Sequence, residues 1–413
     1  MTGGRSHEAV DAARPASAAE VRRSLDAVGA WVERSDYSAY DPGDGQKSYL
    51  AALTFGHRTL ERVLTAGVLR VPFNIRPALG IRPHTSTKGM GYMAWGYLRR
   101  YATLGDPIYA AQATHCLDWL VGHRAQRQQF CWGNDFTFTT RAGRIPRGAP
   151  TIVWSGLIGQ AFVDAYLDLG DVRHLDVAAS ICDWIMNLPR EPTPTGTCLS
   201  YVDFDQVSIH NSNMLGAALL ARVGSIIGRH AFVELAGDAM RYSCTRQNDD
   251  GAWYYGDAPK YHWIDNFHTG YNLDSLKRYN DSTRESSHAP QLLRGFDYFK
   301  SNFFEPDGLP KYMNDRRLPV DIQCAAQAVD TLSTFSCVDP TALALAGQVA
   351  HWTISHMQAP SGYFYYRDLG WTKVKTPMFH WGQGTMFKAL ANLDDKLHQK
   401  AVKRSGPTSG VAA

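Results

Sequence analysis

At 413 residues, 44% of them hydrophobic and 20% charged, the chain is long enough for one large domain or two to three ordinary ones, and its composition excludes a mainly disordered protein. Its formal net charge of +3 is small and its basic residues are scattered, which argues against the basic footprint of a nucleic-acid binder. Seven cysteines, an odd number without a CxxC pair, fit a reduced, cytoplasmic protein in which most of them are small buried apolar residues.

Residues 1–16 are polar and Ala-rich with no continuous apolar core, so neither a secretory signal nor an anchor is readable there, and this segment is expected to be disordered. No stretch reaches the roughly 20 apolar residues of a bilayer span, and stable membrane insertion is not expected. From there Val21, Leu25, Val28 and Val32 recur at helical spacing and predict a helix over 17–34, with 46–64 completing a first hairpin. Further pairs follow at 89–101 with 107–121, 153–169 with 172–188, 213–227 with 231–246, 268–279 with 287–304, and 321–336 with 340–357. A last helix over 383–397 leads into a basic tail, 398–413, whose Gly, Pro and Ser content predicts disorder. Strand signals are short, such as 363–367, and fall between hairpins. The connection 128–150 (QQFCWGNDFTFTTRAGRIPRGAP) is too long for a plain link and reads as functional or mobile.

The turns inside these pairs recur at Gly105-Asp106, Gly170-Asp171, Gly228-Arg229, Asn280-Asp281 and Val338-Asp339. A period of that length, about that of a long helical hairpin with its connection, indicates a helical array or ring. The first helix of each pair is rich in small and apolar residues, whereas the second has a polar face, an asymmetry that concentric inner and outer layers explain better than an open solenoid. The expectation is an all-α (α/α)6 toroid: one domain over 17–397, about twelve helices in six hairpins, with short strands in the connections. Two of those connections, QNDDGAWY (247–254) and QAPSGYFY (358–365), share a Gln-x-x-x-Gly-x-aromatic pattern that reads as a structural staple at a helix end.

In a toroid the inner helices all begin at one end. Those beginnings carry Lys88; Thr151 and Trp154; His210, Asn211 and Asn213; Asp265, Asn266, His268 and Tyr271; Asp321, Gln323 and Gln327; and His380, Trp381 and Gln383. Any one of these is an ordinary cap or core residue, but six polar starts converging on one mouth define a candidate site. Asp265 and Asp321 are the candidate acid and base, with His210, His268 and Tyr271 assisting in catalysis. Lys88, Asn211, Asn213, Gln323, His380 and Gln383 would hold substrate, and Trp132, Trp253, Trp263 and Trp381 would stack on sugar faces. Two carboxylates suit glycosidic hydrolysis. The Asn, His and Tyr groups suit neutralisation of a uronate carboxyl with proton abstraction at the adjacent carbon, as in a lyase or epimerase. The first expectation is hydrolase-type acid/base chemistry on a bacterial polysaccharide or its precursor; a lyase or uronate epimerase, and a subunit that binds a glycan without transforming it, are the alternatives. His210, His262, His268 and His380 lack metal-ligand spacing, and no phosphate-cradling glycine loop is present, so neither a metal nor another cofactor is expected.

The stretches CWGNDF (131–136), APTIVWSGLIGQAFVDAYLDLGD (149–171), IHNSNMLGAALLARV (209–223), DGAWYYG (250–256), WIDNFHTGYNLDSL (263–276), PVDIQCAAQAVDTL (319–332) and HWGQGTMFKAL (380–390) resemble a family of bacterial six-hairpin toroid proteins encoded with polysaccharide biosynthesis genes. The resemblance spans roughly residues 30 to 395. It implies the toroid, an oligosaccharide or polysaccharide substrate and polysaccharide-biosynthesis proteins as partners, and it carries over no catalytic residue. The QNDDGAW segment is also similar to repeats of triterpene cyclases, but 320–325 (VDIQCA) has one Asp where those enzymes need an Asp-rich acid motif.

Overall fold

The computed structural model of the chain describes residues 14–140 and 143–405. Among these residues thirteen α-helices carry the architecture: α1 (Ala18–Arg34), α2 (Arg58–Arg70), α3 (Thr87–Leu104), α4 (Pro107–Gly122), α5 (Ile152–Leu169), α6 (Val172–Met186), α7 (His210–Ile227), α8 (His230–Cys244), α9 (Asn266–Thr283), α10 (Ala289–Asn302), α11 (Ile322–Thr334), α12 (Ala342–Met357) and α13 (Gly384–Ser405). Helices α3, α5, α7, α9, α11 and α13 form an inner ring, each packed on the next, and α13 packs back on α3. Helices α4, α6, α8, α10 and α12 each pack outside the inner helix they follow. The result is a closed (α/α)6 toroid.

The repeated Gly-Asp turns have a direct physical cause. Gly105 and Gly170 close α3 and α5 at φ +68° and +77°, a left-handed conformation that costs glycine no Cβ clash. The aspartate after each, Asp106 or Asp171, accepts an amide hydrogen from the first turn of the following outer helix. Inner helices are enclosed on most sides: α5 is buried without interruption from Ile152 to Ala165, whereas α6 buries one stripe.

The first hairpin departs from expectation. Residues 46–64 do not pair with 17–34; 3-10 turns at Asp44–Lys47 and Tyr49–Thr54 precede α2, which packs on those turns. The partner of α1 is α13, the last helix, so the two ends of the chain interlock to shut the ring. The buried stripe Val21, Leu25, Val28 and Val32 is amphipathic but names no partner. Phe387 does: a Cβ at Gly29 would lie 3.0 Å from its ring and one at Gly96 only 2.4 Å, so this side chain wedges where α1 and α3 both leave room.

At the ends, Ala16 is buried and donates its amide to Gly347 O at 2.9 Å, and Arg14 pairs with Glu20 at 2.8 Å. Residues 14–16, expected to be disordered, are therefore docked. The rest of that segment, 1–13, lies outside the described residues. Helix α13 continues to Ser405, past the expected end at Leu397, and 406–413 lie outside the described residues. No helix of the described residues is long and apolar enough to cross a membrane.

Three small sheets fill connections that run from an outer helix to the next inner one: β1 (Phe138–Thr139) with β2 (Arg144–Ile145), β3 (Arg190–Thr193) with β4 (Gly196–Leu199), and the ladder β5 (Val320–Asp321), β6 (Arg367–Asp368), β7 (Lys373–Val374). All of them therefore build up the rim at which the inner helices start. Both Gln-x-x-x-Gly turns are staples, with Gln247 Nε2 donating to Gly251 O and Gln358 Nε2 to Gly362 O, each at 2.9 Å.

Candidate active site

At the N-terminal ends of the inner helices a cavity of about 280 Å3 opens, at the lower edge of the size of small-molecule sites. Its walls are mostly aromatic: Trp154, Trp263, Phe267 and Trp381 from the inner helices and their entries, and Tyr201, Tyr255, Tyr312 and Phe138 from the rim. Among the described lining residues, Lys88 is the one Lys, Arg, Asp or Glu.

Lys88 sits in the first turn of α3, 3% exposed, with its amine 4.8 Å from the Trp154 ring, 5.6 Å from Tyr92 and 5.7 Å from Tyr271. It has no ion-pair partner among the described residues. Burial strips its hydration and pulls its pKa down to about 7, a shift that Asp41 at longer range only partly offsets. The amine thus titrates near neutrality inside an aromatic box.

Across from it, α9 begins with Asp265 as N-cap. Asp265 Oδ1 accepts the His268 amide at 3.0 Å, and Oδ2 accepts the Trp263 indole N–H at 3.0 Å and lies 2.7 Å from His268 Nδ1. With Nδ1 so engaged, Nε2 of His268 is the ring nitrogen left for a ligand, and the side chain lines the cavity. Tyr271, one turn further on, stands between: its ring centroid is 6.4 Å from that of His268, and its hydroxyl bonds Tyr92 Oη at 2.8 Å and accepts from Gln323 Nε2 at 2.9 Å. Asn211 completes the polar lining, and its buried Oδ1 has no hydrogen-bond partner. A buried amide oxygen left unpaired is a group that a ligand hydroxyl would satisfy.

Of the residues singled out in the sequence, Lys88, Trp154, Asn211, Trp263, His268, Tyr271 and Trp381 meet in this cavity. The others stand elsewhere, for identifiable reasons. Asp321, fully buried, caps α11 and accepts from Gln323 N at 2.9 Å, Arg367 Nε at 2.6 Å and Trp381 Nε1 at 2.7 Å. Its carboxylate thus aims Trp381, and neither it nor Asp265 lines the cavity. Asp265, itself 2% exposed, borders with Trp253 a narrow crevice beside the cavity. His210 is held at both ring nitrogens, by Ser243 at 3.1 Å and Asp257 at 2.9 Å. His380 is bound to Asp41 at 2.8 Å and to Ser86 at 3.1 Å, which ties the N-terminal loops to the start of α13.

The remaining polar candidates are braces. Asn213 fastens Leu199 N and Ala239 O, Gln383 bonds both backbone groups of Phe364, and Gln323 positions Tyr271. Trp132 is fully buried and donates to Leu120 O at 2.9 Å, and Trp253 donates to Ser243 O at 2.9 Å; both anchor connections from within the core. Among the described residues no cluster of three or more His, Cys, Asp or Glu is gathered as for a metal ion.

Sequence reasoning missed Tyr201, Tyr255 and Tyr312, because aromatic residues in connections have no helical register to report their facing. The length of 128–150 was the available signal for Phe138, which the β1–β2 hairpin carries into the cavity wall.

Fold and site together define a toroid with an aromatic, single-lysine cavity at its rim. No protein-family model and no curated relative matches the sequence. Among solved structures the chain is similar to a sugar epimerase from a ruminal bacterium (TM-score 0.59, 13% identity, covering 76% of this chain and 88% of that one). It is also similar to an α-mannanase of Bacteroides thetaiotaomicron (0.59, 10%, 77% and 88%) and to an unsaturated glucuronyl hydrolase specific for heparin (0.58, 14%, 79% and 90%). At these identities the likeness establishes the fold, and the activity has to be argued from the cavity.

Proposed function

We propose that the protein is a carbohydrate-active enzyme that moves a proton at a sugar carbon, as an epimerase or lyase of uronate-containing glycans does. The observation that carries this reading is His268, held by Asp265 from behind, in the wall of an aromatic cavity where Lys88 is the one ammonium group among the described lining residues. A hexuronate stacked on Trp381 and Trp263 would set its carboxylate against Lys88, which lowers the cost of negative charge at the carbon next to the carboxyl. His268 Nε2 would take the proton from that carbon, and Asp265 would stabilise the imidazolium formed. Return of a proton to the opposite face, for which the Tyr271 hydroxyl is the candidate in the lining, gives the epimer. Loss of the oxygen substituent one carbon further gives the unsaturated product of a lyase.

We rank the hydrolase reading below this one because neither of the two carboxylates it needs, Asp265 and Asp321, lines the cavity, and both are engaged by hydrogen bonds as helix caps. The names of the structural neighbours, all acting on sugars, agree with a carbohydrate substrate. On this reading the substrate is a bacterial polysaccharide or its precursor, handled in the cytoplasm beside polysaccharide-biosynthesis proteins, as the resemblance of the sequence motifs implies.

Incubation with uronate-bearing oligosaccharides in deuterated water tests it. Deuterium at the carbon beside the carboxyl marks an epimerase, and an unsaturated product marks a lyase. Cleavage with uptake of one water and no carbon-bound deuterium would refute proton transfer at carbon.

A further inference from the structure

At the opposite end of the toroid a second and larger cavity, of about 540 Å3, opens between α3, α9, α11 and α13. The two cavities stand back to back: Tyr92 lies between the Lys88 amine, 5.6 Å from its ring centroid, and the Lys388 amine at 5.7 Å, and each lysine lines a different cavity. Seven Lys or Arg side chains line the second cavity against two Asp.

One face of α13 supplies most of that charge. Lys388, Asn392, Lys396, Lys400 and Lys403 follow at steps of three and four, so they form a single stripe down the helix. Lys388 is engaged by Asp330 at 2.6 Å, Lys396 by Asp395 at 3.1 Å, Arg99 by Asp164 at 3.0 Å and Lys277 by Asp281 at 2.8 Å. Arg278, Lys400 and Lys403 have no hydrogen-bond or ion-pair partner among the described residues, and the Arg278 guanidinium rests 4.7 Å from the centre of the Trp95 ring. Compensation of the helix dipole explains cations in the last turn of an inner helix, and with that Lys403. It does not explain Arg278, which lines the cavity more than a turn before the end of α9.

We infer that this cavity binds a small phosphate-bearing polyanion. With four of the seven cations paired, Arg278, Lys400 and Lys403 leave a surplus of three positive charges, which is poorly met by a monocarboxylate, whereas a diphosphate brings roughly three negative charges. Arg278 offers a planar fork and the lysines offer mobile point charges, the combination that suits phosphate oxygens. The volume leaves room for a sugar or nucleoside beside the phosphates, with Trp95 at the floor. No glycine-rich loop is needed, because side chains supply the donors.

Isothermal titration of the full chain with sodium pyrophosphate at constant ionic strength tests the assignment, with sodium sulfate as control. One pyrophosphate per chain is expected to bind, at least tenfold more tightly than sulfate. Binding should weaken at least tenfold in Arg278→Met and in the double variant Lys400→Glu, Lys403→Glu, whose exposed positions leave folding intact. Uridine diphosphate and glucose 1-phosphate, titrated in the same way, report the organic group: tighter binding than pyrophosphate, lost in the same variants, identifies a nucleoside or a sugar. Absence of heat, equal binding of sulfate, unchanged affinity in the double-lysine variant, or loss in Lys88→Met instead would each overturn the proposal.

Discussion

His268 Nδ1 lies 2.7 Å from Asp265 Oδ2, so the residue that caps α9 also fixes the imidazole one turn into it. One carboxylate thereby secures both the helix start and the orientation of the candidate base. Replacement of His268 by Gln should lower kcat by about 10^2 to 10^4 while leaving thermal unfolding unchanged. Asp265→Asn keeps a capping oxygen but not the charge, so kcat should fall by about 10 to 10^3 with little loss of stability. Steady-state kinetics with parallel thermal melts separates the two effects, and full activity in both variants would remove the pair from the mechanism.

Lys88 gives a pH signature. An amine whose pKa falls from 10.5 to about 7 on folding binds fewer protons in the native than in the unfolded chain between those values. Stability should therefore rise with pH across that window and show no such slope below it. Compared with Lys88→Met, the native chain should gain on the order of 1 to 3 kcal/mol between pH 7 and pH 10, read from denaturant titrations at each pH.

The same amine predicts proton uptake on ligand binding. An acidic sugar placed against Lys88 favours the ammonium form, so above pH 7 its binding should draw protons from solution, and its affinity should fall as pH rises. Calorimetry in buffers of different ionisation enthalpy measures this directly. A neutral sugar of the same size should show neither effect.

Trp381 lines the cavity and is aimed by Asp321 through a 2.7 Å indole hydrogen bond. Truncation in Trp381→Ala should raise KM about five- to tenfold through loss of stacking. Asp321→Asn, which leaves the indole facing an amide, should reproduce part of that rise without abolishing turnover. Complete loss of turnover in Asp321→Asn would return that carboxylate to the chemistry.

Ring closure can be tested apart from function. A Cβ at Gly96 would fall 2.4 Å from the Phe387 ring, so Gly96→Ala should destabilise the fold by about 1 to 3 kcal/mol despite alanine's better helix propensity. Adding Phe387→Leu should restore part of it, with a coupling of about 0.5 to 3 kcal/mol. Additive losses in denaturant unfolding would contradict the wedge.

Most helices were legible from local signals, but the turn expected at Asn280-Asp281 falls inside α9, which runs on to Thr283 and ends at a left-handed Arg284 instead. The Gly-Asp turns announce themselves because a left-handed glycine followed by a capping aspartate is a property of a few adjacent residues. The docking of α1 on α13 was not legible, since Val21, Leu25, Val28 and Val32 declare a buried face without naming what covers it. The cavity was half legible: Lys88, Asn211, His268 and Tyr271 follow from counting turns along inner helices, whereas Tyr201, Tyr255 and Tyr312 come from connections with no register. His210, Asn213 and Gln383 have the same polar character and the same position at a helix start as the cavity residues, and only their partners set them apart.

By itself the sequence determined the period, the layers and the end of the ring at which polar side chains gather, because helical spacing and turn chemistry are short-range and additive along the chain. The tertiary structure alone decided which of those side chains face open space. That choice depends on a rotation of each helix by a fraction of a turn and on neighbours hundreds of residues away, as when Asp41 takes His380 out of the cavity and Asp265 leaves His268 within it.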